Sequence, residues 1–188
     1  MMQCGDAPGG RPPEAYMLLK ETAFVRLLGL KIPMFVWLGP RVLELDDEGC
    51  AIEIPFGWRS KNHLNSMYVG ALCAGADLAS GLNAAKLIRE RYRKVKLVFA
   101  DMRCEFLKRA DGDVVFRSRD GRRIAEAVRA ADATGERVTL PIEVIATVPR
   151  KYGDEPVARF TMGLSLKRKD EGAASGEGES AGRAAVAR

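Results

Sequence analysis

Residues 58–81, WRSKNHLNSMYVGALCAGADLASG, join a basic, polar loop directly to a helix built mostly of alanine and glycine. Glycine in a helix interior costs about 1 kcal/mol relative to alanine. The three glycines Gly70, Gly75 and Gly81 therefore need a compensating reason, and the close approach of backbone or ligand is the natural one. One carboxylate, Asp77, stands among these small residues, where a core helix would prefer an apolar side chain.

The position of Asp77 on a helical wheel places it on a stripe with little side-chain bulk. At about 100° per residue, the small residues within about 60° of Asp77 are Gly70, Cys73, Ala74, Gly81 and Ala84. We expect the helix to span about residues 66–90, with Asn65 or Ser66 as its N-cap, because a short side-chain oxygen accepts an orphan backbone N–H there. A sheet curved around this single helix would explain the small residues.

The flanking sequence predicts an α+β fold with about six mostly antiparallel strands. Residues 14–28 have the apolar periodicity of a helix. Apolar runs on either side of residues 46–49 and of residues 111–112 predict two hairpins. Residues 120–136 predict a short surface helix, and two more strands flank residues 151–155.

The length of 188 residues predicts one domain with flexible termini. Residues 1–13 are rich in glycine and proline and predict a flexible arm, whereas residues 170–188 have low complexity and predict a disordered tail. The domain itself should span residues 14–169. Four cysteines lie far apart without paired CxxC spacing, so we expect reduced thiols in a cytoplasmic protein, with no metal site and no cofactor.

The net charge of the chain indicates which classes of partner it could bind. A formal net charge of +5 suits an anionic partner such as nucleic acid, an acidic membrane or a phosphate-bearing small molecule, but it also fits a solvated basic surface. The basic residues are scattered and only 7% of the residues are aromatic, so we expect no nucleic-acid binding. The most apolar stretch, residues 23–38, contains Arg26, Lys31 and Pro33 and is too short to span a bilayer.

The central stretch resembles the hotdog fold, specifically the PaaI-like acyl-CoA thioesterases and their uncharacterised relatives. In that group an acidic residue of the central helix stands fifteen positions after a loop asparagine, and Asn62 and Asp77 keep this spacing. Residues 76–81, ADLASG, look like the A-D-x-A-x-G run of the family. Residues 101–118 are similar to the strand pair that follows the helix, and the whole resemblance covers about residues 25–168.

The resemblance implies a curved antiparallel sheet wrapped around the central helix, a homodimer or dimer of dimers, and an acyl-CoA or other acyl thioester as substrate. It also implies that Asn62 and Asp77 come from opposite subunits, with Asn62 orienting the water or the thioester. The start of the helix departs from the family pattern, because Tyr68-Val69-Gly70 stands where many relatives have His-Gly-Gly.

Thioester hydrolysis needs an activated water or a nucleophile, and a group that holds charge on the carbonyl oxygen. Burial raises the basicity of a carboxylate, so Asp77 could act as general base or as nucleophile, and the sequence leaves both open. Backbone N–H groups near Tyr68, Val69 and Gly70 would stabilise the oxyanion, because a helix N-terminus favours negative charge. The alternatives are a hydrogen-bonded structural acid at Asp77 and a plain turn residue at Asn62.

Other side chains around the helix start are candidates for substrate binding. Arg59 and Lys61 could meet the phosphates of CoA as charge-assisted donors, or they could form a solvated basic rim. Ser66 fits an N-cap better than a nucleophile, and Tyr68 would lie in the substrate channel or at the dimer seam. His63 is the only histidine, and we interpret it as a loop residue because no partner is recognisable near it.

The resemblance therefore implies an acyl-CoA thioesterase with a helix carboxylate at its centre. The alternative from a different class is a catalytically silent protein of the same fold that binds acyl-CoA or a fatty acyl group, since the same tunnel serves both. Hydratases of this fold carry a G-D-x-N-P-x-H stretch and dehydratases a Gly-His-Phe-Pro context, and neither occurs here. The length of the acyl chain depends on pocket walls that the sequence does not specify.

Overall fold

The elements of the protein follow the predicted order, with two short helices added. The computed structural model describes residues 18–28 and 31–169, so the predicted arm at 1–13 and the predicted tail at 170–188 lie outside the described residues. The elements in chain order are α1 (Leu19–Leu28), α2 (Pro33–Leu38), β1 (Arg41–Leu45), β2 (Cys50–Ile54), α3 (Val69–Glu90), β3 (Val95–Phe106), β4 (Val114–Ser118), α4 (Gly121–Thr134), β5 (Val138–Thr147), α5 (Pro149–Tyr152) and β6 (Pro156–Arg168).

The six strands form one curved antiparallel sheet in the order β1-β2-β4-β5-β6-β3. The predicted β1–β2 hairpin is confirmed, and its turn is held by Asp46 Oδ1, which accepts the N–H groups of Glu48 and Gly49 at 2.8 and 3.0 Å. The predicted pair around residues 151–155 is also confirmed, because β5 and β6 pair along nearly their whole length.

The second predicted hairpin, around residues 111–112, is wrong. In the described chain β3 pairs with β6, whereas β4 lies between β2 and β5. The connecting segment is held by other partners: the Met67 N–H donates to the Ala110 carbonyl at 2.6 Å, and the Phe56 N–H donates to Asp113 Oδ1 at 2.8 Å. Alternation of apolar residues indicates that a strand exists, but the identity of its neighbour depends on these distant contacts.

The small residues of α3 let this helix lie very close to the sheet. A Cβ added at Gly75 would stand 2.3 Å from Cε2 of Phe116, a fully buried side chain of β4. At Gly81 the nearest atom would be Cζ of Phe99, at 3.3 Å. The compensating reason for glycine at position 75 is therefore contact with the sheet, which fills the core on this side of the helix.

The start of α3 differs from the prediction. The helix begins at Val69 instead of residue 66, and its N-cap is Tyr68, whose side chain makes no capping hydrogen bond. Neither Asn65 nor Ser66 caps it. Asn65 has a φ of 54°, a left-handed conformation that asparagine tolerates, and the Ser66 N–H donates to Asn62 Oδ1 at 3.2 Å. The loop therefore uses these polar groups for its own turn.

The helix predicted at residues 120–136 is α4, and it is more than a surface helix. One face is buried against α3, β5 and β6, through Gly121, Ile124, Ala127, Val128 and Ala131. Among the described residues, no helix is both long and apolar enough to cross a membrane.

We expect Gly75→Ala to lower the free energy of unfolding by about 1–3 kcal/mol. The added methyl group must displace Phe116 or the helix, and the cost of overpacking outweighs the gain of about 1 kcal/mol in helix propensity. Gly81→Ala is the matched control, because it makes the same change in the same helix beside the movable tip of Phe99. Urea unfolding measures both variants, and equal stabilities would contradict this account of the small residues.

Candidate active site

Asp77 lies on α3 at the side of an apolar groove of about 380 Å³. This volume falls at the lower end of the range for ligand pockets, which is about 300–1,000 Å³. The groove is lined from three sides by α1 and the α2 region, by α3, and by the first half of β3. The described residues that line it are Phe24, Ile32, Phe35, Asp77, Leu78, Gly81, Leu82, Ala85, Ile88, Arg89, Val95, Lys96, Leu97 and Phe99.

The carboxylate of Asp77 has no hydrogen bond or ion pair with any described residue. Ser80 Oγ donates to the backbone carbonyl groups of Ala76 and Asp77, at 2.7 and 3.1 Å, and leaves the side chain unpaired. Desolvation by burial raises the pKa of Asp77 from 3.8 to about 6. A buried structural acid normally has hydrogen-bond partners. The environment of Asp77 is therefore that of a weak acid able to exchange a proton near neutral pH.

Two backbone donors are unused at the start of α3. The Tyr68 N–H, which the sequence also suggested as an oxyanion donor, donates instead to the Ser60 carbonyl at 2.7 Å. The N–H groups of Ala71 and Leu72 both donate to the Tyr68 carbonyl. Among the described residues, no acceptor faces the N–H groups of Val69 and Gly70, so these two remain available to an anion.

The Tyr68 ring lies directly over the first turn of α3. A Cβ added at Gly70 would stand 2.5 Å from Cε1 of this ring, so glycine at position 70 leaves the space that the ring occupies. The Tyr68 side chain itself is 55% exposed. It therefore forms one wall beside the two free N–H groups.

Asp77 and the helix start are too far apart to act on one carbonyl group from the same helix. Val69 and Asp77 are eight positions apart in α3, which is about 12 Å at a rise of 1.5 Å per residue. Hydrogen bonds span about 3 Å between heavy atoms. Within one described chain, the Asp77 carboxylate and the two free N–H groups are therefore not brought together.

Asn62 organises the loop that precedes α3. Its Oδ1 accepts the N–H groups of Leu64 and Ser66, at 2.9 and 3.2 Å, and its own N–H donates to the Ser66 carbonyl at 2.8 Å. Its Nδ2 makes no hydrogen bond within the described ranges. Asn62 thus has a turn role in the structure and keeps one donor group available, while the predicted catalytic role stays a prediction.

Arg59 packs against the rings of two tryptophans that also contact each other, in an arrangement that we call the Trp–Arg stack (Trp37, Trp58 and Arg59). The Cζ of Arg59 is 5.6 Å from the Trp37 ring centroid and 5.4 Å from that of Trp58. The two rings meet edge to face at 5.1 Å, and Trp37 Nε1–H donates to the Arg59 carbonyl at 3.3 Å. Lys61 is exposed on the same loop. Binding of CoA phosphates by Arg59 and Lys61 stays a prediction.

The sequence pattern does not predict the aromatic wall of the groove. Phe35 is buried in the short helix α2, and the sequence pattern predicts no helix or strand at residues 33–38. Phe24 belongs to the predicted first helix, but no spacing rule connects it with Asp77. The available signal was the run of apolar residues that continues from α1 into α2.

A six-stranded antiparallel sheet in this order around one long helix is the hotdog fold, and solved structures share it. A Pseudomonas aeruginosa protein of unknown function, described as a probable thioesterase, is 25% identical, with a TM-score of 0.63 over 77% of this chain and 93% of that one. A Chlorobaculum tepidum protein of unknown function is 13% identical, with a TM-score of 0.67 over 80% and 95% of the two chains. A Haemophilus influenzae thioesterase is 12% identical, with a TM-score of 0.55 over 77% and 90%.

The sequence of the chain identifies the protein family to which it belongs. Residues 20–164 match the family described as a domain of unknown function, DUF4442, and the chain belongs to that family. The comparison with curated proteins returned no match.

Proposed function

We propose that the protein is an acyl-CoA thioesterase in which Asp77 is the catalytic carboxylate. The observation that carries this proposal is the unpaired carboxylate with a pKa of about 6 at the side of an apolar groove. A general base works best when its pKa lies near the working pH. The likeness to solved structures described as thioesterases supports the same class of reaction.

In the proposed reaction, Asp77 accepts a proton from a water molecule while the water oxygen attacks the thioester carbonyl carbon. The N–H groups of Val69 and Gly70 stabilise the negative charge on the carbonyl oxygen. The tetrahedral intermediate then breaks its C–S bond, and the CoA sulfur takes up the proton from Asp77. In the nucleophilic variant, the Asp77 carboxylate attacks directly and water hydrolyses the resulting anhydride. Either route gives a carboxylic acid and free CoA.

The separation of about 12 Å between the two halves of the site favours a dimer, in which Asp77 of one subunit faces the start of α3 in the other. β3 offers a surface for this contact. In the described chain β3 has one neighbouring strand, β6, and it exposes large apolar side chains at Val98, Met102 and Phe106. Exposed strand edges favour pairing with another chain.

The remaining predicted residues fit the same arrangement. Nδ2 of Asn62 would orient the water or the thioester at Asp77 of the partner copy. Arg59 and Lys61 would meet the CoA phosphates outside the groove, and Tyr68 and Ser66 would border the thioester. We propose that the protein is located in the cytoplasm.

We expect a C2 homodimer at micromolar concentration, the commonest closed symmetry. Met102→Glu should convert it largely to monomer and lower activity with it, because a buried unpaired charge is costly. Leu19→Glu is the matched control, since it places the same charge on an exposed apolar residue of α1. Light scattering measures the mass of each variant. A monomeric wild type, or a Met102→Glu variant that stays dimeric, would contradict this assembly.

The proposed function is tested by a hydrolysis panel from acetyl-CoA to stearoyl-CoA, with a thiol-detecting dye that reports free CoA. We expect turnover for at least part of the series. Binding of acyl-CoA in the micromolar range without any turnover would instead establish the silent binder, which shares the fold and the groove but not the chemistry.

A further inference from the structure

The apolar groove follows one face of α3 over three turns. Asp77 lines it at one end and Arg89 at the other, twelve positions later, which corresponds to about 18 Å along the helix axis. Gly81 and Ala85 lie between them on the same face and keep the floor of the groove free of bulk. The side chains that line the space between the two charged ends are apolar.

The end of the groove farthest from Asp77 is formed by a cation over an aromatic ring. The Cζ of Arg89 lies 4.0 Å from the ring centroid of Phe24, the shortest contact of this kind among the described residues. Arg89 makes no ion pair with a described carboxylate. The α3–β3 connection brings Val95 and Lys96 of β3 to the same end, so two cations lie at this end of the groove.

We propose that the Phe24–Arg89 contact is the end wall of the groove and sets the length of the acyl chain that binds there. This inference rests on the proposed function, because that function identifies the ligand as an acyl group. An alkyl chain would have to displace the Arg89 guanidinium from the Phe24 ring to extend further. A volume of about 380 Å³ suits an acyl tail, whereas a CoA nucleotide would remain outside.

The dimensions indicate the class of substrate. A carbon–carbon bond of about 1.5 Å at an angle near 111° advances an extended chain by about 1.25 Å. The axial length of about 18 Å therefore matches about 14 carbons. The Arg89 side chain leans toward the N-terminus of α3, as helical side chains do, and shortens the space. We infer that saturated acyl chains of roughly 10–14 carbons fit and that longer chains do not.

Chain-length profiles of wild type and variants test the end wall. Isothermal titration calorimetry with a series of saturated fatty acids measures affinity, and the thiol-detecting assay with the matching acyl-CoA series measures hydrolysis separately. We expect wild-type affinity to peak at roughly 10–14 carbons. Arg89→Ala should move the peak to longer chains and improve the ratio of palmitate to decanoate affinity about tenfold, which is about 1.4 kcal/mol. Arg91→Ala, a nearby exposed cation that does not line the groove, should keep the wild-type profile.

Phe24→Leu provides a second route to the same result. It keeps an apolar side chain on α1 but removes the ring that Arg89 covers, so the peak should again move to longer chains. Unchanged profiles in both Arg89→Ala and Phe24→Leu would overturn the end wall, as would a wild type that binds all chain lengths equally. A wild type that binds with the expected profile but hydrolyses nothing would refute the thioesterase while supporting the end wall.

Discussion

Asp77→Asn should lower the turnover of a bound acyl-CoA by about 10²–10⁴-fold, because loss of a general base typically has an effect of that size. The loss should be larger if Asp77 is the nucleophile. The amide keeps the shape of the side chain, so KM should change little while kcat falls. Asp154→Asn is the matched control, since it makes the same change at an exposed residue away from the groove. Full activity in Asp77→Asn would show that this carboxylate is structural.

The pH dependence of the wild type follows from the same carboxylate. Asp77 must be ionised to accept a proton, and burial raises its pKa to about 6. We therefore expect kcat/KM to rise through about pH 6 and to level off above it. A profile that is flat between pH 5 and about 8 would contradict a role for Asp77 as base.

The stability of the protein should fall with pH over the range in which kcat/KM rises. A pKa raised in the folded state means that folding favours the protonated carboxyl group, so this contribution is fully present below pH 3.8, the usual pKa of the group, and is lost as pH rises through about 6. Above that pH the buried charge costs at most about 3 kcal/mol, and less in so far as solvent reaches the group. Asp77→Asn should thus melt higher than wild type at pH 8, and the difference should shrink near pH 4 in thermal melts.

Val69→Pro should lower kcat by about 10²–10³-fold, the usual effect of losing one oxyanion donor. Val69 is the first residue of α3, a position where proline is well tolerated because its N–H has no partner within the helix. Tyr68 has φ −64° and ψ 140°, which is also the conformation preferred before proline. The substitution therefore removes a single N–H group and keeps the helix.

Val69→Ala is the control for this substitution, since it shortens the side chain and retains the N–H. It should keep activity within about tenfold of wild type, because the proposed contact is made by the backbone. Circular dichroism and melting temperature establish that both variants fold. If Val69→Pro retains wild-type kcat, the Val69 N–H does not stabilise the oxyanion.

The parts of the fold that local pattern determines could be predicted from the sequence. The stripe of small residues around Asp77 and the turn at residues 46–49 are local patterns, and both α3 and the β1–β2 hairpin are observed. The helix begins at Val69 and not at residue 66 because Asn62 uses its side chain to order the loop, so that neither Asn65 nor Ser66 caps the helix.

The remaining features depend on partners that are distant in the sequence. The neighbour of β4 is determined by the sheet as a whole, and the segment before it is held by Met67 and Phe56. The groove joins Phe24 and Phe35 to Asp77 across about forty to fifty positions, and no local periodicity spans such a separation. A single sequence therefore identifies the carboxylate more readily than the pocket that surrounds it.

The Trp–Arg stack gives the protein a built-in optical probe. The chain has two tryptophans, Trp37 and Trp58, and both belong to this stack, so its intrinsic tryptophan emission comes from one corner of the molecule. Phe35 lies two positions before Trp37 in the same short helix and lines the groove. A ligand that displaces Phe35 would move Trp37 relative to Arg59. Binding of the ligand in the groove could then be measured from the wavelength and quenching of the tryptophan emission, without any attached dye.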